Sequence, residues 1–264
     1  MFTSSIGGAI MVVQAKPATP RLQHAAGDYD FFFGLKPAKH VARETFDLYT
    51  ADTKERRPAV IFVHGGPVPE GQTPSPRQWP TFIGYSDLAA AAGLAGVTFD
   101  HRLYEMERYP DSAEDIAEVV EKVRRVPQVD PDRIALWFFS GGGALAADWL
   151  REAPSWLRAV VWSYPVLAPP SDWPGDVERF DCRQVIAGAP ELPKLMVRVG
   201  EEYSSFANTQ NAVIEAARNF DSALEVIDLP DAVHGFESLK YDKQAREGTD
   251  RAMAWVAHAL AQDA

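Results

Sequence analysis

The chain has 264 residues, a length that allows one or two domains and that α/β architectures commonly fold as one. Hydrophobic residues make up 46% and charged residues 24%, as in ordinary globular proteins. The formal charge of -11 and pI near 5.0 argue against the clustered basic surface that nucleic acid or an anionic membrane requires, which leaves small molecules or neutral partners.

Cys182 is the single cysteine, so neither an internal disulfide nor a cysteine-rich metal site is expected. The opening stretch "MFTSSIGGAIMVVQAK" lacks a basic start and a long apolar centre, and no apolar run approaches about 18 residues, so the expectation is a cytoplasmic chain without a membrane span. Residues 1–43, with His24 and His40, read as an extension ahead of one core domain that fills the rest of the chain.

In chain order, Glu44 to Asp52 reads as an antiparallel edge strand. Five short, nearly continuous apolar runs follow: Ala59–Val63, Leu94–Phe99, Ile134–Phe139, Ala159–Tyr164 and Lys194–Val199. Ala223–Leu229 is a sixth candidate. Most lack polar alternation, as expected of strands covered on both faces in a parallel sheet.

Between them lie helical patterns. Ile116, Val119, Val120 and Val123 recur at helical spacing, with Ser112 and Asp115 spaced like a capping box ahead of them. Similar patterns follow Ser140, span Ala207–Phe220 and close the chain, where Gly248 is expected to delay or kink the last helix. The alternation implies an α/β fold, a mostly parallel twisted sheet with helices on both faces. Two proline-rich segments read as loops: Gly65–Pro80, and residues 165–193, expected to form a small cap.

The stretch "LWFFSGGG" raises the question of chemistry. If Ile134–Phe139 is a strand and "GALAADWL" starts a helix, Ser140 sits on a sharp turn that lifts its hydroxyl above the carboxyl edge of the sheet. The amide of Gly141 at the helix start then faces any oxygen on the carbon that Ser140 attacks.

Here the sequence resembles the α/β-hydrolase family, from about Glu44 onward, in its esterase and dienelactone-hydrolase-like members. The family's G-x-S-x-G elbow reads Phe138-Phe139-Ser140-Gly141-Gly142, with Phe138 replacing the first glycine. "FVHGGP" is similar to the HGG motif of the family's esterases. The resemblance implies a second oxyanion amide at Gly66, with Gly65 beside it, and a loop-shaping role for His64.

"DAVHGF" follows the last strand, where the family order of serine, acid and histidine implies that His234 takes the serine's proton. In "GEEYSS" Glu201 and Glu202 compete as the acid, with Glu202 the better match, two positions after Gly200. "FDHRLYEMERYPDSAED" is similar to a stretch of related lipases, which implies that Arg102 pairs with Asp115. His101, Trp79, Tyr164 and Trp173 are the candidate pocket residues, each with plain packing as the competing role.

The reading is thus a serine hydrolase acting on an ester, thioester or lactone through an acyl-enzyme, with no metal or organic cofactor and, by its exposed sheet edges, a possible homodimer. Acyl transfer or cyclisation by the same residues, and a non-catalytic binding protein on this fold, stay open as alternatives.

Overall fold

The computed structural model describes residues 30–32, 34–51, 55–170, 172–238 and 242–262. Its strands are β1 (Lys39–Ala42), β2 (Phe46–Thr50), β3 (Arg57–Val63), β4 (Ala95–Phe99), β5 (Val129–Phe139), β6 (Leu157–Ser163), β7 (Lys194–Glu201) and β8 (Leu224–Val233). Its helices are α1 (Pro80–Ala91), α2 (Tyr109–Arg124), α3 (Ala146–Glu152), α4 (Cys182–Val185), α5 (Ser204–Asn219) and α6 (Lys243–Ala261). One sheet runs in the order β1-β2-β4-β3-β5-β6-β7-β8, parallel from β4 to β8 and antiparallel on both sides of β2.

Unbroken apolar runs become strands buried on both faces because successive side chains point to opposite sides. Ile61, Leu136, Phe138, Val160 and Trp162 pack against α2, α3 and α5, while Val60, Phe62, Ala135, Trp137 and Val161 pack against α1 and α6. The two half-cores together clamp the central strands, so their carboxyl ends form a rigid platform.

Several expectations shift. The antiparallel strand over Glu44–Asp52 exists as β2, but it is not the edge, because β1 from the expected extension pairs outside it. Phe31 and Phe32, also from that extension, are buried in the α1/α6 half-core, whereas His24 lies outside the described residues. Strand β8 runs four residues past Leu229 despite Pro230, which an edge strand accommodates because one side of it needs no ladder donor.

Helix α1 carries no apolar stripe in its sequence, being apolar nearly all round, and so was not legible as an amphipathic helix. Helix α2 begins three residues before Ser112, with Pro110 in its first turn, where the missing N–H costs nothing. The capping box is therefore absent: Ser112 Oγ donates to Arg108 O at 2.9 Å. Helix α6 continues through Gly248, which lies against Leu229: a Cβ there would come 2.6 Å from Leu229 Cδ2.

Asp115 instead receives Arg102, whose Nε lies 2.9 and 3.0 Å from the two carboxylate oxygens and whose backbone N–H donates at 2.8 Å. This ties α2 to the loop that follows β4. The arginine side chain is 42% exposed, which limits the pair's worth. Asp115→Ala is expected to lower stability by about 1 kcal/mol, read as a shift in the urea midpoint without a change in slope.

Candidate active site

Ser140 follows β5 directly and adopts φ 47°, a left-handed conformation that side chains other than glycine rarely hold. A 3-10 turn, Ser140–Leu145, then leads into α3. The three glycines allow this turn to press on neighbouring backbone. A Cβ on Gly141 would lie 2.1 Å from Gly66 O, one on Gly142 2.5 Å from His64 O, and one on Gly143 2.6 Å from Val166 O.

Tyr109 Oη donates to Gly141 O at 2.6 Å and Trp162 Nε1 to Gly143 O at 3.1 Å, both buried, so the turn is also pinned from below. Gly141→Ala is expected to cost about 1–3 kcal/mol of stability, because backbone rather than a flexible side chain must yield. Chemical denaturation and a turnover assay on the same preparation measure both effects; wild-type stability would show that the close approach is relaxed in solution.

Phe138 is fully buried among residues of the α2/α3 face, where a glycine is usual in the resembling family. Room at the turn comes from the facing loop: a Cβ on Gly65 would lie 2.9 Å from Ser140 Cβ. Gly66 and Gly141, the two residues expected to carry oxyanion amides, meet in the close backbone approach described above.

His234 stands just past β8. Its Nε2 is 2.7 Å from Ser140 Oγ, and its Nδ1 is 2.9 and 3.1 Å from Glu202 Oε1 and Oε2. The carboxylate requires the ring proton on Nδ1, which leaves the Nε2 lone pair aimed at the serine hydroxyl. Glu202 lies between β7 and α5 with a side chain only 2% exposed, and it also accepts from the Tyr203 N–H at 2.9 Å and Gln210 Nε2 at 3.3 Å. Glu201, the competing candidate, ends β7 exposed to solvent. The geometry thus brings Ser140, His234 and Glu202 into one hydrogen-bonded chain and leaves Glu201 out.

A cavity of about 260 Å³ opens over the serine. Gly65, Gly66, Trp79, Phe82, Phe139 and Tyr164 supply much of its wall, and no lining side chain carries a fixed charge. Trp79 and Tyr164 are therefore where the sequence suggested. Phe82 and Phe139 were not anticipated; their signal, an apolar residue next to a motif, is shared by most of the core.

Two other candidates lie elsewhere. Trp173 packs with Tyr109 and Phe180 on the α2/α3 face, ring centroids 5.8 and 6.1 Å away, and does not line the cavity. The same holds for the described residues of 165–193. That segment buries Leu167, Phe180 and Ile186 against the core, so its apolar side chains satisfy the fold rather than cap the site.

His101 also misses the cavity. It is 3% exposed and stacks on His64 with centroids 3.6 Å apart. Its N–H donates to His64 Nε2 at 3.3 Å and its Nε2–H to His64 O at 3.0 Å, while His64 Nδ1–H donates to Gly65 O at 2.6 Å. Burial pushes His64 down to about 4 and His101 well below the usual imidazole range. Two neutral rings therefore buttress the Gly65–Gly66 loop.

Among the described residues no group of three His, Cys, Asp or Glu side chains is placed to hold a metal ion, and no helix is long and apolar enough to cross a membrane.

Residues 46–148 match the BD-FAE family. No curated protein matches the chain. Among solved structures, the thermophilic carboxylesterase EstE1 from a metagenomic library is 20% identical with a TM-score of 0.69, over 90% of this chain and 95% of its own. Thermogutta terrifontis esterase 2, in its tabun-phosphoramylated form, is 20% identical at TM-score 0.67, over 87% and 98%. Esterase B from Lactobacillus rhamnosis, inhibited by a tributyrin phosphonate, is 20% identical at 0.68, over 90% and 92%. The strand order, the serine turn and these likenesses together show the α/β-hydrolase fold, and residues 46–148 are similar to the BD-FAE family.

Proposed function

We propose that the protein is a serine esterase for small, uncharged acyl groups, acting through an acyl-enzyme. The observation that carries this reading is the continuous chain from Ser140 Oγ through His234 to Glu202 at the floor of an uncharged cavity. Ser140 Oγ attacks the acyl carbon while His234 Nε2 takes its proton, and the electron pair of the carbonyl moves onto oxygen. The amides of Gly66 and Gly141 hold that oxyanion. Collapse expels the alcohol, thiol or ring oxygen, which leaves with the proton from His234. Water then attacks the acyl carbon by the same proton path and returns the free serine.

Glu202 favours the imidazolium in both half-reactions and holds the ring in the tautomer the serine needs. The cavity lies below the usual range for drug-sized ligands of about 300–1,000 Å³, which favours short acyl chains. The structural neighbours named above are esterases, which supports the same reading.

Labelling with a fluorophosphonate, read by intact mass, tests the nucleophile, and a p-nitrophenyl ester series tests the pocket. One label per chain on Ser140 is expected, with kcat/KM falling for acyl chains beyond about six carbons. Folded wild type that neither labels nor turns over any ester would reject the proposal.

A further inference from the structure

Three residues beyond His234 lies a carboxylate that the acyl-transfer chemistry does not use. Glu237 is 5% exposed, in the short 3-10 turn Phe236–Ser238. Its Oε1 accepts from Tyr85 Oη of α1 at 2.6 Å and its Oε2 from Tyr164 Oη, just past β6, at 2.8 Å. Among the described residues no lysine or arginine pairs with it. Such a group is costly to bury, and its presence beside a reacting histidine asks for a reason.

The surroundings define one. The Tyr164 ring forms part of the cavity wall and meets the His234 ring edge-on, centroids 4.8 Å apart, while its hydroxyl reaches back to Glu237. Phe236, between the histidine and the glutamate, packs on Tyr164 at 5.4 Å. One carboxylate therefore holds the cavity wall, α1 and the turn carrying His234 together.

We propose that Glu237 is a positioning residue for His234: it anchors the turn that follows the histidine and supplies a second buried negative charge behind the imidazolium that forms when Ser140 gives up its proton. This rests on the reading of His234 as the proton acceptor. The groups around the pair come from every adjoining element. Tyr85 from α1 and Tyr164 after β6 face Glu237, with Thr249 of α6 and Ser163 of β6 beside Tyr85. Glu202 and Ser140 bond His234, and the rings of Tyr203 and Phe206 flank it from the α5 side.

Proton positions fit this role. Burial and then the neighbouring carboxylate raise both phenols well above their usual range, so they stay protonated and donate. Burial also raises the Glu237 carboxyl, while the two phenols and the His234 charge oppose that rise. A carboxyl raised in the folded state costs stability as pH climbs from its unfolded value through its folded one, and no more beyond that. The charge is thus a cost to folding near neutrality, and removing it should not lower the melting temperature there.

Glu237→Gln keeps the shape and one accepted phenol bond but removes the charge. At equal folded fraction by circular dichroism, kcat is expected to fall about tenfold with KM within about twofold. The acidic limb of the kcat/KM profile should move to lower pH by about half a unit, because the anion that favours the protonated ring is gone. Tyr164→Phe keeps the charge and the ring but cuts the link between them, so kcat should fall about threefold with the limb unmoved.

An unchanged kcat and an unmoved limb in Glu237→Gln would overturn the proposal. If that variant does not fold, an unchanged kcat in Tyr164→Phe overturns it. Ser140→Ala distinguishes this from failure of the esterase reading: turnover surviving without the serine hydroxyl defeats that reading, whatever Glu237 does.

Discussion

Replacing Ser140 by alanine is expected to reduce ester turnover by about 10⁴-fold or more, about 5 kcal/mol of lost transition-state stabilisation. On the proposed mechanism the loss is this large because the hydroxyl attacks: its removal would leave only the oxyanion amides and substrate binding, with water as a poorly placed nucleophile. The protein should stay folded, because alanine fills nearly the same space and the turn is held from outside by the Tyr109 and Trp162 hydrogen bonds.

A companion variant separates function from fold. Ser140 adopts φ 47°, where a β-carbon is strained by about 1 kcal/mol or more, so Ser140→Gly should be as inactive as the alanine variant yet more resistant to heat than it. Residual activity above about one hundredth of wild type in either variant would mean that another group attacks the substrate. A glycine variant no more stable than the alanine one would mean that the turn relaxes once the hydroxyl is gone.

The second large effect is expected at Glu202, the proposed acid. Glu202→Gln should lower kcat by about 10²–10⁴-fold, whereas Glu201→Gln should stay within about twofold. The carboxylate accepts from His234 Nδ1, which keeps the Nε2 lone pair free toward Ser140 Oγ. A carboxamide turned to donate its N–H to Nδ1 forces the ring proton onto Nε2, and the histidine then faces the serine with a donor where an acceptor is needed. On the proposed mechanism it also removes the negative charge that would stabilise the imidazolium.

Glu201 has neither contact, being exposed at the end of β7. Steady-state kcat for the two variants on one short-chain ester decides the matter. The reverse ranking would show that the loop between β7 and α5 rearranges when substrate binds. Glu202→Asp should fall between the extremes, because a side chain one methylene shorter must give up part of its contact with Nδ1 or with the Tyr203 N–H and Gln210.

Much of this architecture is legible in the chain itself. Apolar runs such as Ile134–Phe139 and Ala159–Tyr164 carry no alternation, and a strand of that composition is stable only with both faces covered, which requires a parallel sheet between two layers of helices. Ser140 followed by three glycines is equally direct, because a side chain at those positions would collide with backbone wherever the turn seats against the preceding loop. His234 and the Arg102–Asp115 pair are implied by the resemblance of "DAVHGF" and "FDHRLYEMERYPDSAED" to the family's stretches.

Other features depend on contacts between residues far apart, which local pattern does not encode. Glu201 and Glu202 are chemically alike, and only the path of the chain out of β7 buries one against His234 and exposes the other. His101 and Trp173 are polar-tipped rings near loops and suit a cavity wall as well as a core. The stacking on His64 and the packing on Tyr109 and Phe180 decide for the core. Glu237 had no local signal, since a glutamate in "HGFESL" reads as surface charge until α1 and the end of β6 bring Tyr85 and Tyr164 to its two oxygens.

The sequence by itself thus determines the layers and the candidate nucleophile, because periodicity and glycine sterics act within a few residues. Only the tertiary structure decides which glutamate meets His234, which residues wall the cavity and where the Glu237 carboxylate is buried, because burial and hydrogen bonding there are properties of segments up to 152 residues apart.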